Sequence, residues 1–471
     1  MRGSRALPLA VLCGSAFLGA IDVQLANIAF PDMLRSFPSS GLPELSWVFN
    51  GYAITFTAAL LPAGGLADRF GYRRVFLAGL TVFVIGAALC AIAPSAGILI
   101  AARVVQGVGG GVITPLTLAL ILPYYPPERR GTAIGLWSAT QSVATASGPS
   151  LGGLLVGVWD WRTVFFLHLP VGLVVLAGAW RTLARTPPST PSTPSRLPDI
   201  VGLILLVAAI GLPSLAIVQS DAWGPGSPGT ITALVAGIVV GVLFVRRARS
   251  HPAPIVDLRI LRARSTQRAN LAMFLLGLVM FALPLANILF LTRIWGYSET
   301  QAGLAVTPGA VAQVLTAPIA GRLAAKAGHR RLALCGVVLL SLATAYLAVA
   351  TGGGQAYLTV VFPAVVVTGV GVAVLVTSLS GAAVAEIPPA RLATGTALSV
   401  TSRACGAVIG VSALVLVLSG HRVGVIGAYH GVWATMLGIC AFIAVAAAGL
   451  RSPEAPATAN AGQREPGTEP P

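Results

Sequence analysis

The run Gly64-Gly65-Leu66-Ala67-Asp68-Arg69-Phe70-Gly71-Tyr72-Arg73-Arg74 lies between two apolar segments, each long enough to form a helix. A weaker copy, Gly321-Arg322-Leu323-Ala324-Ala325-Lys326-Ala327-Gly328-His329-Arg330-Arg331, lies between two more. A short charged hairpin bounded by glycine, used twice in a hydrophobic chain, implies a duplicated bundle of helices.

Composition places that bundle in a membrane. Hydrophobic residues are 56% of the chain and charged residues 9%, where a soluble domain carries roughly 25% charge. Fourteen apolar runs approach the ~20 residues that cross hydrocarbon as a helix. They are 9–30, 46–66, 75–93, 97–120, 131–157, 162–182, 199–219, 229–247, 269–292, 302–323, 332–350, 356–378, 392–419 and 429–450. The charged start Met1 to Arg5 is no signal peptide on this reading, because the apolar run after it is too long, contains Asp22 and is followed by further spans.

A net charge of +16 invites nucleic acid as a partner, but the position of the charge argues against it. With the loops numbered alternately, one set holds 24 of the 30 cations, including Arg69, Arg73, Arg74, Arg322, Lys326, Arg330, Arg331 and seven arginines from Arg246 to Arg268. The other set holds Arg35, Arg162, Arg293 and Arg422. Cations are retained on the cytoplasmic side during insertion, so both termini are expected to be cytoplasmic in a multi-pass protein of the cell membrane. The basic loop at 246–268 is also suited to anionic lipid. Cys13, Cys90, Cys335, Cys405 and Cys440 all fall in expected helices without metal-ligand spacing, which predicts no metal site and no disulfide.

The echo of the hairpin lies between the tenth and eleventh expected helices. A plain duplication of six helices would put it between the eighth and ninth. Two extra helices therefore separate the halves. The expected organisation is a six-helix bundle at 1–182, a Pro/Ser/Thr linker at 183–198, two inserted helices at 199–247, a basic loop at 248–268, a second six-helix bundle at 269–450 and a disordered tail at 451–471.

The hairpin at 64–74 resembles the signature of the major facilitator superfamily between its second and third helices. Arg103-Val104-Val105-Gln106-Gly107-Val108-Gly109 resembles the family's R-x-x-Q-G-x-G pattern in helix four, and Gly148-Pro149-Ser150-Leu151-Gly152-Gly153 its G-P-x-x-G-G antiporter motif in helix five. Asp22 to Pro31 is similar to the start of the fourteen-helix drug:proton antiporters, as is the stretch from Trp159 to Pro170. Departures are Tyr72, usually basic, and Ala325, which replaces the acidic residue in the second copy. The resemblance implies an all-helical fold of two six-helix bundles plus two inserted helices. It also implies export of small hydrophobic drugs or antibiotics against protons, with no cofactor beyond the proton gradient and a monomeric state. An uncoupled facilitator or a sensor of the same fold is the alternative. An enzyme is not expected, since the five histidines are scattered and no H-E-x-x-H or paired carboxylates occur.

Asp22 is the acidic residue deep inside an expected span, and such a charge costs ~2.5–3.5 kcal/mol at the bilayer centre. It should therefore face protein or a cavity. Counted from the ends of their helices at 1.5 Å per residue, Asp22 and Arg103 lie within about one turn in depth. They are expected to pair, either as a permanent structural pair or as one that separates so that Asp22 takes a proton. Asp68 at the hairpin, with Gly64, Arg69, Gly71 and Arg73, is on the resemblance a conformational latch, or else a topology anchor. Gly64, Gly65 and Gly71 are expected to permit tight turning and close helix approach. Ala144, Gly148 and Gly152 make a small-residue stripe for close packing, beside Pro149 and Gly153. Gln24 and Asn27 share a helix face. With Trp137, Gln141, Phe281, Asn287, Gln313 and Arg403 they are the candidate lining of a substrate cavity.

Overall fold

Glycine and short polar side chains decide where the apolar runs stop. The computed structural model describes residues 3–125, 130–183, 199–224, 226–252, 254–256, 258–387, 392–419 and 426–450. The Pro/Ser/Thr stretch at 186–198 and the tail at 452–471 lie outside the described residues. Fourteen long helices run through the described residues. They are α1 (Gly3–Ser36), α2 (Trp47–Phe70), α3 (Tyr72–Ala91), α4 (Ala96–Ile121), α5 (Arg130–Val158), α6 (His168–Thr182) and α7 (Ile200–Trp223). The rest are α8 (Pro228–Ser250), α9 (Arg264–Arg293), α10 (Glu299–Ala327), α11 (His329–Ala350), α12 (Phe362–Val384), α13 (Leu392–Ser419) and α14 (Ile426–Ala448). Ser95, Asp199, Ser227 and Ser298 cap α4, α7, α8 and α10, each accepting a backbone N–H from the first turn. Such caps satisfy donors that the helix itself leaves orphaned.

Twelve of these helices are long and apolar enough to cross a membrane. The fourteen expected from sequence include two that fall short, α2 and α5. The physical reason is their polar content: Asn50, Thr55 and Thr57 on α2, and Thr140, Gln141, Ser142, Thr145, Ser147 and Ser150 on α5. Thr57, Thr140, Thr145 and Ser147 return their hydroxyls to carbonyls four residues back, so those polar groups are satisfied within the helix.

The packing repeats. In the first six helices α1 lies on α4, α5 and α6, α4 on α2 and α3, and α3 on α6. Eight helices later the same pairings recur: α9 on α12, α13 and α14, α12 on α10 and α11, and α11 on α14. The broadest contacts between these groups are α5 with α10 and α2 with α13, and α1 also touches α9 and α10. The helices α7 and α8 pack on one another, and α7 also lies on α2 and α13. Ile54 of α2, Leu206 and Ile210 of α7, and Val408 of α13 form one buried cluster there. The Asp199 carboxylate accepts from Arg247 Nε at 2.7 and 3.0 Å, tying the start of α7 to the end of α8. The outer face of α8 exposes Ile231, Val235, Ile238, Val239 and Val242, an apolar surface of the kind that lipid covers.

The hairpin is tighter than its sequence suggests. Gly64 and Gly65 lie within α2, and a Cβ at either would meet nothing within 4 Å. The expected close approach at these two glycines is therefore absent among the described residues. Gly71 alone leaves the helix, with φ 91°, a region that other residues rarely enter. Its N–H closes α2 on the Ala67 carbonyl at 2.9 Å, and its own carbonyl accepts from Val75 at 3.2 Å to open α3.

Candidate functional site

The R-x-x-Q-G-x-G stretch works by removing side chains where α4 crosses its neighbours. A Cβ on Gly107 would come within 2.6 Å of the Tyr52 carbonyl of α2, and one on Gly109 within 2.6 Å of the Phe83 Cα of α3. The backbones can approach because neither Cβ exists. That approach buries Arg103, and every donor it presents must then find an acceptor.

Arg103 Nη1 donates to both oxygens of Asp22, at 3.0 and 2.8 Å. It also donates to Gln106 Oε1 at 2.8 Å, and its Nε donates to the Val48 carbonyl at 3.1 Å. Gln106 Nε2 donates to Asp22 Oδ1 at 2.8 Å. The guanidinium lies 4.0 Å from the Tyr52 ring centroid and 5.6 Å from that of Phe165. Asp22 and Arg103 are each 1% exposed. Two charges this deep are tolerable only when paired and hydrogen-bonded, and removing one partner strands the other. The structure thus brings Asp22 and Arg103 together as their shared depth predicts. It adds Gln106, three residues along α4 and on the same face as Arg103, which sequence reading left without a role. It also adds His168 of α6, whose Nε2 lies 3.5 Å from Asp22 Oδ1. No local signal marked that residue, a single histidine beginning an apolar helix.

The expected cavity is two smaller ones. The first, about 150 Å³, is lined by Asn27, Asn50, Tyr52, Phe56, Phe281 and Arg403 among others, and it reaches Arg103. The second, about 110 Å³, is lined by residues including Gln24, Thr145, Pro149, Asn287 and Gln313. Both are well below the ~300–1,000 Å³ of sites that take drug-sized ligands. Gln24 and Asn27 are divided between the two because α5 packs on α1 beside Gln24 at Gly148. Trp137 packs instead against the core of the first six helices, with Tyr124, Tyr125 and Leu122. Gln141 is half-buried on the same helix and belongs to neither lining. Arg403 Nη1 has the Met280 sulfur at 4.0 Å, and among the described residues no carboxylate forms an ion pair with it.

The G-P-x-x-G-G stretch packs on two sides. Gly148 and Gly152 face Gln24 and Leu25 of α1, while Gly153 faces the Glu299 carbonyl of α10, which a Cβ would approach to 2.6 Å. Gly303 of α10 lies in turn against the Pro149 carbonyl, and Thr300 Oγ1 donates to the Gly153 carbonyl at 2.8 Å. At the same end of the molecule Arg35 of α1 bridges Asp32 at 2.9 Å and Glu299 at 2.5 Å. Asp32 also accepts the Trp161 N–H at 2.9 Å. This end is closed by a network that sequence reading did not anticipate.

At the opposite, basic end, Asp68 accepts from the Tyr72 hydroxyl at 2.7 Å. Arg73 donates to the Trp180 carbonyl at 2.6 Å and lies 5.1 Å from the Trp180 ring centroid. Arg73 therefore ties the hairpin to α6. Arg69 lies 5.5 Å from the centroid of its neighbour Phe70.

A repeated helical bundle with a buried ion pair beside central cavities defines a membrane transporter. The sequence profile of the Major Facilitator Superfamily matches residues 12–245 and 269–471, and the chain belongs to that family. The multidrug resistance protein Stp of Mycobacterium tuberculosis (strain CDC 1551 / Oshkosh) is 31% identical over 404 residues, covering 86% of this chain and 74% of its own length. The multidrug export protein EmrB of Escherichia coli (strain K12) is 30% identical over 400 residues, covering 84% and 77%. The methylenomycin A resistance protein of Bacillus subtilis (strain 168) is 35% identical over 301 residues, covering 64% and 63%. Among solved structures, a bacterial homologue of the human lysosomal transporter Spinster matches with a TM-score of 0.67 at 17% identity, covering 95% of this chain and 96% of its own. A POT family transporter bound to a thioalcohol-conjugated peptide matches with a TM-score of 0.66 at 16% identity, covering 93% and 95%. At these identities the two structures share the fold.

Proposed function

We propose that the chain is a proton-coupled antiporter that exports small hydrophobic drugs or antibiotics by alternating access. The observation that carries the reading is the Asp22–Arg103 pair, buried on α1 and α4 with Arg103 reaching the wall of a central cavity. A carboxylate held only by side chains can be released by a helix movement and then take a proton. The names of Stp, EmrB and the methylenomycin A resistance protein supply the cargo class. The energy is sufficient: a proton moving down ~100 mV contributes ~2.3 kcal/mol, a roughly fiftyfold gradient.

The reading takes fourteen crossings, with α2 and α5 as the polar pair, both termini cytoplasmic, and an arrangement of six plus two plus six helices. The recurrence of each packing pair eight helices later supports that arrangement. The basic end is then cytoplasmic and the Arg35–Glu299 end extracellular. The chain is closed outward, with cavities too small for cargo until the helices move apart. The open space beside Gly64 and Gly65 is where a latch at Asp68 closes in another state.

A minimum-inhibitory-concentration panel in a pump-deficient host identifies the cargo. Cargo-driven proton flux is then measured in proteoliposomes for the wild type and for Asp22→Asn. Loss of flux in the variant is expected. Flux equal to the wild type's overturns the proton role, and transport that an uncoupler leaves unchanged indicates a facilitator.

A further inference from the structure

His168 is 1% exposed and takes no part in the mechanism as set out above. Its Nδ1 lies 2.8 Å from the Val164 carbonyl. A carbonyl oxygen only accepts, so Nδ1 carries the proton. In a neutral ring that leaves Nε2 as a bare acceptor. Nε2 makes no hydrogen bond, and the polar group it faces, at 3.5 Å, is Asp22 Oδ1. The edge of Phe83 packs on the ring at 5.6 Å between centroids. Asp22 Oδ1 already accepts from Arg103 and Gln106, so the unmet acceptor in this dry interior is His168 Nε2, and an unmet buried acceptor is destabilising. A proton between the two atoms gives Nε2 the partner it lacks.

We infer that the transported proton is held jointly by Asp22 and His168, at a site bounded by Asp22 Oδ1 and His168 Nε2, and not by the carboxylate alone. This rests on the reading of Asp22 as the proton-exchanging group. The step is a protonation: an N–H bond forms at Nε2, or an O–H bond at Oδ1, the site gains one positive charge, and the same bond breaks on release. The other charged or titratable groups around the pair are Arg103 on α4, Tyr52 on α2 and Cys90 on α3, whose thiol lies 3.7 Å from Gln106 Oε1. With the proton on His168, Asp22 stays ionised and keeps Arg103. With the proton on Asp22, the carboxyl donates to Nε2 and Arg103 is freed. The histidine thereby gives the carboxylate a neutral acceptor to turn to when the ion pair breaks, which a pair without His168 lacks.

The test needs no cargo. The full-length protein in lipid bilayers is prepared with labelled histidine and with His251, His329, His421 and His430 replaced by Gln, so that His168 gives the one ring signal. Solid-state NMR of its two ring nitrogens is recorded across pH 5 to 9, with and without Asp22→Asn. The expected result is an Nδ1 that stays protonated, an Nε2 resonance that moves with pH, and loss of that movement in Asp22→Asn. An Nε2 resonance fixed across the range, or moving identically in the variant, overturns the inference. If the four-residue replacement does not fold, the spectral difference between the wild type and His168→Asn gives the same reading. Proteoliposome flux separates the two claims. If Asp22→Asn abolishes flux while Nε2 is fixed in the wild type, the shared site is wrong and the antiporter reading stands. If Nε2 moves as expected but flux survives in Asp22→Asn, the shared site stands and the coupling role fails.

Discussion

Helix α1 and its counterpart eight helices on, α9, occupy the same place in the packing but are held by different chemistry. On α1, Asp22 meets Arg103 and Gln106 of α4 and lies beside His168 of α6. On α9, Asn270 accepts from Ser399 and Ser402 of α13 at 3.3 Å each, and Asn287 accepts from Trp433 of α14 at 3.2 Å. Helix α1 carries its buried polarity as charge and α9 as neutral amides. The duplicated fold needs only that each helix bury its polar groups with partners. The buried ion pair is therefore an addition on α1 and not a requirement of the architecture.

The hairpins teach the same lesson on a smaller scale. Gly328 has φ 84°, closes α10 on the Ala324 carbonyl at 3.0 Å and accepts from Leu332 at 3.3 Å, as Gly71 does with its own neighbours. The backbone device is duplicated. The Asp68–Tyr72 bond is not, because the second copy has Ala325 and His329 at those positions.

The comparison breaks most readily at the arginines. Arg103→Ala strands Asp22 in the interior and is expected to cost about 3–5 kcal/mol. Arg403→Ala removes no ion partner, so its unfolding midpoint in detergent should stay close to the wild type's. Equal losses in the two variants would mean that charge is not what distinguishes the halves. Next come the glycines: Gly71→Ala and Gly328→Ala should each cost about 1–3 kcal/mol, since both force a side chain into glycine's region of backbone space. Unequal losses would show that one hairpin has become dispensable.

The smallest effect lies outside the repeat. Burial opposes the Asp199 charge, but the Gly202 N–H, Arg247 and His251 outweigh it and hold the carboxyl below its ordinary range. A depressed carboxylate stabilises above its unfolded pKa of about 3.9 and loses that contribution as pH falls through its folded value. Asp199→Ala, which removes a helix cap and a partly exposed ion pair, should cost about 1–2 kcal/mol at pH 7. The difference from the wild type should shrink below about pH 4. A pH-independent difference would assign the effect to packing.

Much of this was legible in the residues. Hairpin spacing gave the offset of eight helices at which the packing recurs, because a repeated glycine turn marks register along the chain. Asp22 and Arg103 could be matched by counting residues, since depth in a membrane helix is nearly linear in sequence. Rotation about the helix axis is set by neighbours, and there reading failed. Trp137 was expected at a cavity and instead packs, half-buried, against the core of the first six helices. His168 was one scattered histidine until α1 and α6 were placed side by side. Glu299 and Arg35, 264 residues apart, meet only through tertiary closure.

The joint between α5 and α10 is built largely from backbone, with Gly303 on the Pro149 carbonyl and Gly153 on the Glu299 carbonyl. Side chains that interlock must change rotamers to part, and each ordered rotamer carries an entropy term on every passage. Carbonyl and Cα surfaces have no rotamers to sort. On the proposed alternating-access reading such a joint would serve as a bearing, sealing when pressed together and turning without re-meshing, with the Arg35–Glu299 bridge as the catch to be sprung.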